Sequence, residues 1–114
     1  YYLIIQERCV QIVLGAKVES VQNRIINEIS SFCSNSEYHN WYVGTTSNIT
    51  SRLFVEHNVS KQYGRWKYFN ANSKSTAKEI EDYFRNEGMD SNSNGSDSNS
   101  KYIYVYKKNH ISNP

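Results

Sequence analysis

The spacing of apolar and polar positions changes from segment to segment along this chain. Between residues 17 and 33, Val18, Val21, Ile25, Ile29 and Phe32 recur every three or four positions, with Lys17, Glu19, Asn23, Arg24 and Asn27 between them. That spacing gathers the apolar side chains on one face, so an amphipathic helix is predicted, ended by Asn35 and Ser36. Trp41-Tyr42-Val43-Gly44 is aromatic and β-branched and closes on glycine, which predicts a strand. Ser47 or Asn48 then offers an N-cap for a short helix carrying Ile49, Leu53 and Phe54, with Asn58 at its end. Arg65 to Phe69 alternates as a second strand. A third helix is predicted over 76–87, with Ala77, Ile80 and Phe84 on one face and Gly88 as its stop. Thr76-Ala77-Lys78-Glu79 has the form of a capping box at its start. Lys101 to Lys107, KYIYVYK, alternates as a third strand. The apolar stretches at 3–5 and 12–14 predict either a strand or a short helix.

The order helix, strand, helix, strand, helix, strand predicts an α/β (α+β) fold. A small antiparallel or mixed β-sheet would be flanked by helices, in one domain over 1–114. Residues 90–100, DSNSNGSDSNS, have no apolar anchor and read as a flexible surface loop, and the polar residues 108–114 read as a frayed tail. The loop imitates the start of a Ca²⁺ loop, but Lys101 stands where a bidentate Glu is needed.

Composition changes this picture in three places. Mean hydropathy is low at -0.75, yet the aromatic fraction is 14%, and disordered chains are poor in aromatics. No apolar run approaches the roughly 20 residues of a membrane span, so no membrane partner is expected. The net charge of +2 permits nucleic-acid binding without arguing for it. Cys9 and Cys33 are too far apart for a metal pair and read as reduced thiols of a cytoplasmic or nucleoid-associated protein. His39, His57 and His110 show no zinc spacing.

The stretch WYVGTTSNITSRLFVEH carries the candidate chemistry. Tyr42-Val43-Gly44 is followed by a polar turn with Thr45, Thr46 and Asn48, and Arg52 lies ten positions after Tyr42 with Leu53 behind it. Ser73, Ala77 and Glu81 follow at spacings of four. Over roughly residues 41–85 this pattern resembles the GIY-YIG endonucleases. The resemblance implies a GIY-YIG-like fold and Mg²⁺- or Mn²⁺-assisted hydrolysis of phosphodiester bonds, with DNA as the partner. The alternative is a catalytically degenerate domain of the same fold that binds nucleic acid or a protein.

Each residue type suits a role in that chemistry. The planar fork of Arg52 suits a clamp on phosphate oxygens, and its plainer role is a helix-surface pair with Glu56. Glu81, four residues after Ala77 and three before Phe84, borders the apolar face, where a carboxylate is costly unless used or paired. It suits a metal ligand, since Mg²⁺ keeps most of its waters. Glu79 has a structural role in the capping box instead. Tyr42 suits proton transfer, as the resemblance also implies. His57 stands five residues after Arg52, where many members carry a histidine at four; it either swings back toward the site or lies on the surface. Thr45 and Asn48 in the turn, with Arg65 and Lys67 interleaved among aromatics, are the candidate nucleic-acid contacts.

One motif is missing. The family's Gly-Ile-Tyr strand would lie about ten residues before Tyr42, where this chain has Ser31-Phe32-Cys33-Ser34. The C-terminal strand projects Tyr102, Tyr104 and Tyr106 from one face. It is the candidate replacement in a permuted arrangement, with Tyr102 or Tyr104 facing the site.

Overall fold

The structure, a computed structural model, describes residues 20–92 and 100–114. The element expected near residues 3–14, the first positions of the first helix and most of the polar loop lie outside the described residues. Helix α1 spans Val21–Phe32 and begins at Ser20, whose hydroxyl accepts a hydrogen bond from the Asn23 amide at 3.1 Å. A 3₁₀ segment, Asn35–Asn40, leads into strand β1, Trp41–Thr46. A π-helical segment, Thr50–Glu56, precedes β2, Trp66–Asn70. Helix α2 spans Lys74–Asn86 and β3 spans Tyr102–Lys107.

The ends of α2 show how local sequence sets an element. Its cap is Ser73, which accepts from the Thr76 amide at 3.1 Å. The helix therefore starts two residues earlier than predicted, and Thr76 sits inside the first turn. The capping-box role assigned to Glu79 falls with that shift. At the other end Gly88 takes φ 120, where only glycine is unstrained. The Met89 amide reaches Phe84 O at 3.0 Å and the Gly88 amide reaches Arg85 O at 3.2 Å. These two bonds form a Schellman closure, sealed by Met89 and Phe84 in the same core.

The three strands form an antiparallel sheet in the order β1-β3-β2. The fold is thus α+β, as the element order predicts. The central strand is the last in sequence and both its faces are covered: Ile103, Tyr104, Val105 and Tyr106 are fully buried. On one face Trp41, Val43, Ile103 and Val105 pack against Ile25 and Ile29 of α1 and Ile80 and Phe84 of α2. On the other, Tyr42, Tyr104 and Tyr106 pack with Leu53 and Val59. Register makes this second face an aromatic layer, with Tyr42 opposite Tyr106 and Tyr106 opposite Trp66, and Gly44 opposite Tyr104 and Tyr104 opposite Tyr68.

The tail does not fray as predicted. Asn113 N–H donates to His57 O at 2.7 Å, and the Asn58 side-chain amide donates to Ile111 O at 3.2 Å. Among the described residues no helix is long and apolar enough to cross a membrane.

Candidate functional site

The aromatic face holds a cluster of polar side chains that alternation and helix winding bring together. The π-helical segment closes with a bond from the His57 amide to Arg52 O at 2.9 Å, an i to i+5 link. In an α-helix, residue i+5 is turned about 100° away from residue i+4. The wider winding absorbs the extra residue, so His57 follows Arg52 by one turn. His57 is buried rather than a surface side chain.

The partners of His57 fix its protons. Nδ1 lies 2.7 Å from the backbone oxygen of Asn113, which can only accept, so Nδ1 carries the hydrogen. Tyr106 Oη, 3.2 Å from the same nitrogen, shares it as a second acceptor. Nε2 is then a free acceptor, and the Tyr104 hydroxyl donates to it at 2.7 Å. Burial pushes the His57 pKa below its ordinary value, partly offset by the bond to Asn113, so the ring is neutral at pH 7.

Tyr104 is the hub. Its ring lies over Gly44, and a Cβ there would sit 2.6 Å from the Tyr104 Cζ. The glycine of Tyr-Val-Gly is thereby explained by the tyrosine that crosses it. Burial drives the Tyr104 phenol pKa far up, while the charge of Arg52 and a hydrogen bond with it pull the other way. Arg52 Nε also lies 3.1 Å from Glu56 Oε1, so the surface pair forms as well. The Arg52 side chain remains 20% exposed and reaches solvent from this cluster.

Tyr42 stacks on Tyr106, with ring centroids 5.2 Å apart, and tilts onto His57 at 4.6 Å. Burial raises its phenol pKa, and Asp90 and Glu81 raise it further; a backbone hydrogen bond from Asn92 and the charge of Arg52 oppose this. Residues 89–92 run beside β1, with Val43 N–H donating to Asp90 O at 2.9 Å and Asp90 N–H to Trp41 O at 3.0 Å. Ser91 joins the two acids: its hydroxyl donates to Glu81 Oε2 at 2.9 Å and its amide to Asp90 Oδ1 at 2.9 Å. Glu81 is 2% exposed, and Lys78 Nζ lies 3.4 Å from its other oxygen.

The structure thus brings Tyr42, Arg52, His57 and Tyr104 together, with Glu81 acting on Tyr42 from the β1 side. Tyr102 is not in this cluster; it lies two residues along β3, edge-on to Tyr68. Thr45 does not reach the site either. Strand alternation turns it toward the helices, where it is buried. Asn48 is exposed and accepts from the Ser51 amide at 3.0 Å, a turn-forming role. Arg65 and Lys67 sit on the helix-facing side, over the Phe32 ring at 5.3 and 5.0 Å, away from the tyrosines. Cys33 is a buried thiol pushed up to about 12 by burial, which makes it inert.

Tyr106, Asn113, Asp90 and Ser91 complete the cluster. Of these only Tyr106 had a signal in the sequence, the alternation of β3; the others arrive through loop and tail paths that no spacing encodes. No group of three or more His, Cys, Asp or Glu side chains that could hold a metal ion occurs among the described residues. Glu81 and Asp90 are joined through Ser91, and a lysine lies 3.4 Å from each: Lys78 from Glu81 and Lys108 from Asp90. Comparison with protein-family models, with curated proteins and with solved structures finds no match to this chain.

Proposed function

We propose that this domain hydrolyses phosphodiester bonds of DNA with the help of a divalent cation, the activity implied by its resemblance to the GIY-YIG endonucleases. The observation that carries the reading is the hydrogen-bonded chain Asn113–His57–Tyr104 with Arg52 beside it. A base within reach of a hydroxyl and oriented by a third group is the arrangement that activates a proton carrier. His57 Nε2 accepts the Tyr104 proton while the phenol takes one from water in a single concerted relay, since burial disfavours both a free phenolate and a free imidazolium, and the Arg52 charge lowers that cost at Tyr104. The planar fork of the same side chain, one-fifth of which is exposed, would meet the phosphate oxygens. Tyr42, beside two carboxylates, keeps its proton and acts as a donor. Glu81, with Asp90, would hold the cation, which when bound supplies charge neutralisation on the phosphoryl oxygens. On this reading the chain works where DNA is, in the cytoplasm or at the nucleoid.

A second reading is favoured by the burial of Tyr104 and by the ion pair between Lys78 and Glu81, which already compensates the carboxylate. In that reading the fold is kept for binding and catalysis is lost. Nicking of supercoiled plasmid with Mg²⁺ or Mn²⁺ separates the two. The nuclease reading expects wild-type activity that Arg52→Ala, Glu81→Ala and Tyr104→Phe each abolish. Equal, negligible nicking by all four proteins, with DNA still bound, establishes the second reading instead.

A further inference from the structure

The aromatic layer does not end at Tyr106. One strand spacing further, about 4.8 Å, it continues onto β2 as a row of rings. Phe54 meets Trp66 edge-on at 4.9 Å, Trp66 lies 6.4 Å from Tyr68 with planes 16° apart, and Tyr68 meets Tyr102 at 6.4 Å. Tyr68, in the middle, is 49% exposed. A lysine stands at each end of the row: Lys61 Nζ is 5.6 Å from the Phe54 ring centroid and Lys101 Nζ is 5.8 Å from that of Tyr102.

Two features make this row more than ordinary strand surface. First, it is held in place before any ligand arrives. The Trp66 indole N–H donates to Lys61 O at 3.2 Å, and Phe54 braces the ring from the side. Rings already fixed lose little freedom when a ligand stacks on them. Second, the charge around it has one sign. Lys61 and Lys101 are the charges that touch its rings, and neither β2 nor β3 contains a carboxylate.

We infer that this row is a stacking platform for the unpaired bases of a single nucleic-acid strand, whose backbone runs between Lys61 and Lys101. Tyr68 is the exposed ring of the row and Trp66 and Tyr102 are half-buried beside it, so a base stacks first on Tyr68 while the flanking cations hold phosphate through charge. A duplex hides those base faces, so the platform selects unpaired strand. The inference rests on the nucleic-acid reading above and gives it a substrate class: strand with unpaired bases next to the His57–Tyr104 cluster.

Binding by the intact domain tests it, with labelled oligothymidylate, oligouridylate and a hairpin duplex as probes and no cation required. Tyr68→Ala is expected to weaken single-strand binding roughly five- to a hundred-fold, the range of one base–aromatic stack. Tyr68→Phe keeps the ring face and is expected to bind as wild type, as is Tyr83→Ala on α2. Lys61→Ala and Lys101→Ala each reduce the salt slope by about 0.7. Trp66 fluorescence is quenched on binding, while buried Trp41 is not. Oligodeoxyuridylate, which differs from oligouridylate only in the 2′-OH, identifies the sugar preferred. Equal binding of duplex and single strand, unmoved by Tyr68→Ala, overturns the platform and leaves the nucleic-acid reading standing. Failure of wild type to bind any of these probes overturns both. Tyr68 is half exposed, so its variants fold, and a thermal melt checks that they do.

Discussion

Replacing Gly44 by alanine tests the packing at the centre of the site. The new methyl would meet the Tyr104 ring at 2.6 Å from Cζ, well inside van der Waals contact. Tyr104 has nowhere to go: it is fully buried on the central strand and its hydroxyl is tied to His57 at 2.7 Å. Two responses are open. The core can accept the overpacking, which costs about 1–3 kcal/mol. Or the ring can withdraw and break the bond to His57, leaving a buried acceptor unmet at about 1–3 kcal/mol. Relief from the strand entropy of glycine returns about 0.5–1 kcal/mol. The net loss is therefore about 0.5–2 kcal/mol, or a Tm drop of roughly 2–16 °C for a domain near 100 residues. Urea unfolding followed by tryptophan fluorescence measures it. A cycle with Tyr104→Phe isolates the cause, because a ring without the hydroxyl is no longer tethered and can slide off the methyl. The two losses should then fall short of adding by at least 0.5 kcal/mol, as expected for coupled neighbours. A Gly44→Ala protein within about 0.3 kcal/mol of wild type, or a strictly additive cycle, would refute the account of why this strand ends its motif on glycine.

Three further outcomes follow from the same geometry. His57 is held neutral by burial, so its folded pKa lies below the unfolded value near 6.5; the stability this confers is present above that value and is lost as pH falls through the folded pKa. Stability of the wild type should decline below about pH 6.5, and His57→Gln should flatten that part of the profile in pH-dependent urea titrations. Arg52→Lys keeps the charge but not the fork, so plasmid nicking should fall roughly a hundred-fold or more, with little change in Tm; full activity in the lysine variant would remove Arg52 from the clamp. Deleting the exposed Val55 shortens the π-helical segment by one residue and restores α-winding, leaving the histidine one turn after Arg52; circular dichroism and nicking should both survive, and an unfolded product would show that the π-bulge is needed by the fold itself.

The elements were legible in the sequence because their causes are local. The three-four spacing of Ile25 and Ile29, and of Ala77, Ile80 and Phe84, and the alternation of Lys101 to Lys107 each need only a few neighbouring residues. Glu81 was legible for a physical reason too, since a carboxylate bordering an apolar stripe must have partners, and it has Lys78 and Ser91. The start of α2 was misplaced because two candidate caps, Ser73 and Thr76, stand three apart, and spacing alone cannot say which hydroxyl accepts. The position of His57 depended on helix type, which a sequence does not state. Thr45 was misassigned because a turn was expected where β1 in fact continues to Thr46, and alternation then points it into the helical core. Asn113 enters the site through its backbone oxygen, and Asp90 is carried there by backbone bonds to β1; backbone atoms leave no mark on residue identity.

The place of β3 has a consequence for how the domain comes into being. The strand that both others pair with is made last, and His57 meets Tyr104 and Asn113 across separations of 47 and 56 residues. Among the described residues β1 and β2 both pair with β3, so their three-stranded sheet cannot form until Tyr102 to Lys107 has left the ribosome. Contacts this distant in sequence form late and slowly. A growing or prematurely stopped chain thus holds Tyr42 and Arg52 without the groups that orient them. On the proposed nuclease reading, synthesis acts as a safety catch, because the His57–Tyr104 pair and its Asn113 anchor exist only once β3 and the residues after it have been made.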